Sequence, residues 1–434
     1  MAGGIKKIVR YFLYMFVFSF GIFTSQLYLK SAAQDFRMNG GFEKADKFKL
    51  GLENIPVDFV KGLGEFNVGL ITNQTGKDQK GKRNIDILLA KGVKIKKIFI
   101  PEHGIDGIIH TDKEISDSID KSIKVPIISL YSKGQAKKMD SNTLKDIDFL
   151  IFDIQDCGMR HYTYISTLFE ALNVASKYNK KFIVLDRPSM LGPAMEGPLV
   201  KKGFESFVSF APIPLRHGMT IGELAIFYNK YILKRSVKLY IAKMKNYKRD
   251  SYANNKMLTY LSSGIRTTNA CYGYSFLGLL GEISPFHIGL RTPNPFQCIL
   301  LPDKKIFENK KWENLKKVLN SYGIENSFYR TFGKKNYFSG LQFKINDVYD
   351  LESFKLFINL ILLFKKSGLK MEFSKLFDKA IGTDKVRGFF EGKIEKKELQ
   401  SLINNDLYDF YKKALPCFLY QPLPKVKYLD LSDV

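Results

Sequence analysis

FDIQDCGMRHYTYISTL, Phe152 to Leu168, is the stretch whose reading decides the fold. Just ahead of it, Ile147, Phe149, Leu150, Ile151 and Phe152 make a short apolar run, the pattern of a parallel strand covered on both faces. Just behind, Ile165, Leu168, Phe169 and Leu172 recur at helical spacing, so the chain is expected to turn back as a helix against the sheet. Asp153, Gln155, Asp156, Arg160, His161, Tyr162 and Tyr164 lie between or beside these elements, which is more polarity than a connector needs. In open α/β sheets ligands bind at the carboxyl ends of strands, so this stretch is expected to floor an active site.

Working outward, further strands are expected at Val68 to Ile71, Ile95 to Ile100, Pro126 to Tyr131, Ile147 to Ile154 and Lys181 to Leu185, with a short helix marked by Ile85, Leu88 and Leu89. Strands alternating with helices predict an α/β fold, a doubly wound parallel sheet. Polar groups follow the strand ends: Asn73 after the first, Glu102 and His103 after the second, Asp186 and Arg187 after the last. One acidic residue after a strand is most often a turn former, but several such ends together point to a site. No G-x-G-x-x-G follows an early strand, since Gly62 and Gly64 precede the first one, so dinucleotide binding is not expected. Glu196, between Gly192 and Pro198, is expected on a rigid rim. Arg216 and His217 stand just before a helix whose Thr220 and Glu223 have capping-box spacing, and both are expected to face the cleft. From Val237 the pattern mixes strands (Val237 to Ile241, Leu341 to Ile345) with helices near Glu352 to Phe364 and Leu399 to Lys412, predicting a smaller α+β domain. Its stretch from Ser262 to Phe296, with Arg266, Asn269, Glu282, His287 and Arg291, is expected to cover one side of the cleft.

The chain has 434 residues, more than one core usually serves, and the expected division is a leader and tether over 1–46, a catalytic domain over 47–235 and a second domain over 236–434. A net charge of +25, from 68 Lys and Arg against 43 Asp and Glu, is spread without one dominant run. No nucleic-acid motif accompanies it, so nucleic acid is not an expected partner, whereas an anionic wall polymer or membrane suits a basic surface. Lys6, Lys7 and Arg10 precede an apolar stretch from Tyr11 to Leu29, followed by Ser31, Ala32 and Ala33. That order predicts export by a cleaved signal or an uncleaved membrane anchor, with the protein periplasmic or extracellular. Cys157, Cys271, Cys298 and Cys417 lack zinc-ligand spacing, and Cys271 with Cys298 is the pair considered for a disulfide. Neither a metal nor a cofactor is expected.

Several carboxylates with arginines, and no G-x-S-x-G, suggest acid and base chemistry on a polar, anionic substrate rather than acyl transfer. Glycoside hydrolysis uses two carboxyl groups, one to protonate the leaving oxygen and one ionised. Glu102, beside His103 in a Pro-Glu-His-Gly turn, is the expected acid, with Asp153, Asp156 or Glu196 as its partner. A metal-dependent hydrolase using Asp153, Asp156, Glu102 and His103 as ligands, and a non-catalytic wall-binding protein, are the other readings.

Pro101 to Gly104, Phe152 to Asp156 with Gly158 and Arg160, Tyr162 to Leu168, Asp186 to Pro188, Glu196 to Pro198 and Pro214 to Thr220 follow one another in order. With Phe377-Asp378, Gly382 to Asp384, Pro416 and Leu419-Tyr420 near the end, they resemble the NamZ-type exo-β-N-acetylmuramidases, bacterial cell-wall glycoside hydrolases. The resemblance implies a Rossmann-like domain, a smaller second domain, and release of terminal N-acetylmuramic acid from peptidoglycan fragments. The lactyl carboxylate of that sugar would need a guanidinium, from Arg160, Arg187 or Arg216, and Tyr162 and Tyr164 would stack on sugar faces. Asn73, Gln155, Asp186, His217, Glu282 and Arg291 complete the expected substrate contacts. The chain departs from the family pattern in the second domain, where Gly281-Glu282-Ile283-Ser284 is followed by Gly289-Leu290-Arg291-Thr292.

Overall fold

Val68, Leu70 and Ile71 are fully buried because the strand that carries them, β1 (Asn67–Thr72), lies in the middle of the first sheet. The computed structural model describes residues 47–109, 113, 115–120, 122–132, 135–136, 139–250, 260–303, 309–333 and 336–433. The leader and tether expected over 1–46 thus lie outside the described residues. Among the described residues no helix is long and apolar enough to cross a membrane.

From β1 the chain passes through α1 (Asn84–Ala90) to β2 (Lys94–Ile100), the two-residue β3 (Ser118–Ile119) and β4 (Pro126–Ser129). It then crosses to the other side of β1 and lays down β5 (Phe149–Asp153), α2 (Tyr164–Lys177), β6 (Lys181–Leu185), α3 (Ile221–Tyr231) and β7 (Leu239–Ala242). The order in the sheet is β7-β6-β5-β1-β2-β4-β3, parallel throughout except for β3. Winding outward from β1 in both directions makes the doubly wound fold expected from the sequence. It also puts the reversal between β1 and β5, where Ile71 pairs with Phe152 and Thr72 with Asp153. A crevice opens at the carboxyl ends of strands at such a point.

Two strands differ from expectation. The strand expected over Pro126 to Tyr131 stops at Ser129, whose hydroxyl donates to the Tyr131 carbonyl at 2.6 Å, and Tyr131 joins a separate two-stranded ladder. The strand expected to open the second domain is instead β7, which pairs with β6 at the edge of the first sheet. Its residues are only half-buried, the condition of an edge strand, and that weak apolar pattern hid its place.

Beyond β7 come α4 (Thr268–Leu280), β8 (Cys298–Pro302), α5 (Asn309–Ser321), β9 (Ile324–Phe332), β10 (Tyr337–Ile345), α6 (Ser353–Lys366), α7 (Phe377–Ile381) and α8 (Lys396–Ala414). β8, β10 and β9 form an antiparallel sheet in that order. Phe354, Phe357, Ile361 and Phe364 recur at helical spacing on α6 and are all buried, which makes it the central helix of this part. The segment after α8 returns to the first part, where Lys425 and Val426 pair with Ala194 and Met195. One apolar cluster runs through both, from Phe152 and Leu168 to Phe357 and Phe410.

Candidate active site

A cleft of about 890 Å³ opens over the turn quoted first. Glu102 and His103 from the end of β2 and His161, Tyr162 and Thr163 from the start of α2 form one side. Ser262, Ser263 and Arg266, Tyr274 on α4, and the loop bearing Leu290, Arg291, Thr292 and Phe296 form the other.

The Pro-Glu-His-Gly turn is tightly made. His103 has φ +73°, a left-handed conformation uncommon for a residue with a Cβ, and Gly104 follows at +79°. The His103 ring nitrogen Nδ1 lies 2.7 Å from the Ile109 carbonyl, so Nδ1–H donates there and Nε2 is left as an acceptor. Glu102, 4% exposed, accepts a 2.5 Å hydrogen bond from Thr163 Oγ1. Tyr131 lies beside Glu102; burial and then the Glu102 charge push its phenol well above the usual range, so it keeps its proton. Among the described residues that line the cleft, Glu102 is the acidic one.

His161 stacks on Tyr274 with ring centroids 4.7 Å apart and makes no hydrogen bond through either ring nitrogen. Burial, then the neighbouring Arg160 charge, lower it to about 3, so it is neutral at ordinary pH. Tyr162 meets Tyr164 and Tyr274 edge-on at 4.8 and 5.7 Å. Its hydroxyl is buried near Ser262 without a hydrogen bond of good geometry, which leaves it able to serve a ligand.

Many residues expected in the cleft are built into the protein beneath it. Arg160 is 1% exposed and gives its protons to the carbonyls of Pro198, Ile213, Ala380 and Ile381 and to Ser209 Oγ. Burial alone lowers it to about 9, and no donor remains for a substrate carboxylate. Arg216 pairs with Glu196 at 2.8 Å, and Glu196 also accepts from Ser353 and from the Phe354 N–H at the start of α6, so both belong to a buried junction. Asp153 is fully buried between Arg187 Nε at 2.6 Å and Asn84 Nδ2 at 2.7 Å, while Arg187 also holds the Lys77 carbonyl. Asp186 accepts from Thr220 Oγ1, Tyr420 Oη and the Gly222 and Arg187 N–H groups; burial pushes it up to about 6 against those donors. Gln155 ties the Asp156 and Pro188 carbonyls, and the Tyr164 hydroxyl donates to Leu261. Asn73 closes its own turn by accepting from Thr75 N–H and Oγ1. Glu282 bonds Ser374 and does not line the cleft.

Asp156 differs from these. Its Oδ2 accepts from the Gly158 N–H at 2.6 Å and from His217 Nε2 at 3.2 Å, since His217 Nδ1 is occupied by the Met219 N–H, while its buried Oδ1 has no partner. The pair lies under the cleft rather than in its lining. Glu223 caps α3 as expected and binds Arg249 at 2.6 Å. All four cysteines are free thiols, and Cys271 faces the Cys157 carbonyl rather than Cys298. Among the described residues no group of three or more His, Cys, Asp or Glu side chains is placed to hold a metal ion.

The sequence reading did not single out Thr163, Ser262, Ser263, Tyr274 or Phe296 individually, although the last four lie in the stretch expected to cover one side of the cleft. Thr163 stood inside the quoted stretch. An aromatic such as Tyr274 or Phe296, or a hydroxyl such as that of Ser262, carries no local signal that separates a cleft from a core.

Models of the N-terminal and C-terminal parts of exo-beta-N-acetylmuramidase NamZ match residues 68–268 and 272–420. The chain is 33% identical over 391 residues to the peptidoglycan beta-N-acetylmuramidase NamZ of Bacillus subtilis (strain 168), covering 86% of this chain and 90% of that protein. A DUF1343 family protein from Bacteroides fragilis superposes with a TM-score of 0.76 at 31% identity, over 86% of this chain and 99% of that one. A second from the same organism gives 0.68 at 25% identity, over 87% and 99%. With the doubly wound sheet, the second domain and the cleft over the β1/β5 reversal, these matches show that the chain belongs to the NamZ exo-β-N-acetylmuramidase family of glycoside hydrolases.

Proposed function

We propose that the chain releases terminal N-acetylmuramic acid from peptidoglycan fragments, with Glu102 carrying proton transfer at the glycosidic oxygen. The observation that supports this most is the Glu102 carboxyl, held on a rigid turn in the cleft lining while Asp153 and Glu196 are neutralised by Arg187 and Arg216 below it. His103 Nε2 stands next to it in the chain as a second group able to relay a proton. Asp156, with one oxygen unpartnered, is the remaining candidate for a second carboxyl. Tyr162, Tyr274 and Phe296 offer faces for the sugar and its acetyl methyl.

For the lactyl carboxylate the assignment passes from Arg160, Arg187 and Arg216 to Arg266 and Arg291, exposed cations of the cleft wall. Incubation with a muramic-acid-terminated disaccharide tests the activity directly. Glu102→Gln keeps the side-chain shape and should lower turnover about a hundredfold or more; near-normal turnover in the folded variant sinks the assignment. One charge-assisted pair is worth about 1.5–3 kcal/mol, so Arg266→Ala or Arg291→Ala should cut efficiency on the muramic substrate roughly tenfold or more. The glucosamine analogue should lose less, and equal losses on both would remove the case for these residues. The basic, apolar, small-residue order of the leader supports action outside the cytoplasmic membrane. A reporter fused after Gln34 and recovered from the cytoplasm would overturn that.

A further inference from the structure

Thr163 stands at the N-cap of α2, yet its side chain caps nothing. Threonine at that position commonly accepts a hydrogen bond from a first-turn N–H. Thr220 and Thr267 do so in this chain, from Glu223 and Ala270. Thr163 Oγ1 instead reaches Glu102 Oε2 at 2.5 Å. The Thr163 hydroxyl is the donor and Glu102 Oε2 the acceptor, and at this distance the contact is short for a bond between two oxygens. The first turn of α2 has forgone its side-chain cap for that contact, and both residues line the cleft.

We propose that Thr163 is a positioning residue for the reaction, whose hydroxyl fixes the orientation of the Glu102 carboxyl. The proposal rests on Glu102 as the proton-transfer group. Tyr131, in the strand after β4, also lies close enough to Glu102 for the Glu102 charge to raise its phenol. With the Thr163 hydroxyl on one of its oxygens, the Glu102 carboxyl is oriented before substrate arrives, and such pre-organisation lowers the barrier to a transfer that depends on distance and angle. The other titratable groups that face Glu102 are Tyr164 and Tyr274, and His103, His161, Arg266 and Arg291 share its cleft. Thr163→Val leaves all of them in place and removes only the hydroxyl.

The test is steady-state kinetics on a muramic-acid-terminated disaccharide, across pH, for Thr163→Val, Thr163→Ser and Glu102→Gln. Thr163→Val should lower kcat about tenfold or more with KM changed less than about twofold. Loss of a donor disfavours an ionised carboxylate, so the limb of the pH profile set by Glu102 should move to higher pH. Thr163→Ser, which restores the hydroxyl, should recover most of both effects. If the valine variant does not fold, Thr163→Ala carries the same test. Wild-type kcat and pH profile in the variant lacking the hydroxyl, with Glu102→Gln inactive, would overturn the proposal. So would an equal loss in the serine variant. An active Glu102→Gln would bring down the assignment of Glu102 itself, and the positioning role with it.

Discussion

Arg160 and His161 are neighbours at the floor of the cleft, and burial gives them opposite fates. The guanidinium has enough donors to satisfy four carbonyls and a hydroxyl, so it stays charged inside the protein. The imidazole finds no partner, and next to that cation it stays neutral. The unfolded chain binds a proton at this position below its ordinary value of 6.5, while the folded chain does not until about 3. Stability contributed by the neutral histidine is therefore present above about pH 6.5 and is lost as the pH falls toward 3. His161→Phe should remove this sensitivity, making the loss of stability between pH 7 and pH 4.5 smaller by roughly 2 kcal/mol. Thermal melts at the two pH values check it, and an unchanged drop would refute the assignment. Glu196 invites the opposite expectation. Breaking its buried pair with Arg216 by Glu196→Ala should cost about 3–5 kcal/mol in denaturant unfolding, while turnover per folded molecule stays close to normal.

Among the elements, α7 is short and decides much. Its last carbonyls, Ala380 and Ile381, are two of the acceptors that Arg160 finds, and it ends at Gly382 with φ +87°. A Cβ there would lie 2.8 Å from Arg160 Nη2 and 3.0 Å from the Val200 Cα, so the glycine is required by conformation and by space together. Gly382→Ala should destabilise by more than about 1 kcal/mol, read as a lower denaturant midpoint. A neutral result would mean that the turn can open without disturbing Arg160. The start of α2 shows the reverse economy, since its threonine serves the cleft and tertiary packing holds the helix.

For the whole molecule, the segment after α8 joins the two parts. Tyr420 Oη donates to Asp186 at 2.7 Å and accepts from the Met244 N–H, and Arg249 donates to the Tyr420 and Pro422 carbonyls. The two parts should therefore unfold together. Trp312, the chain's one tryptophan, reports on the second part by fluorescence, while far-UV circular dichroism follows the helices of both. The two signals should share one midpoint in denaturant, and separated midpoints would refute the coupling. Removing the residues after Ala414 should unfold the first part as well, because Asp186 and Arg249 then lose buried partners.

The sequence by itself determined the parallel sheet, since continuous apolar runs such as Phe149 to Phe152 are stable only when covered on both faces. It determined the position of the cleft for the same reason, because polar residues that interrupt such runs must gather at the strand ends. Glu102 was legible because it stands on a turn of Pro and Gly that fixes its backbone. Only the tertiary structure decided which polar side chains face the cleft and which lie beneath it. Asp153, Glu196 and Arg160 carry the same local pattern as Glu102, but each meets its partners from residues 20 to 221 positions away. A charge buried with such partners is spent, and a charge left at the surface of a cleft is available. That difference is set by long-range packing, to which no local pattern has access.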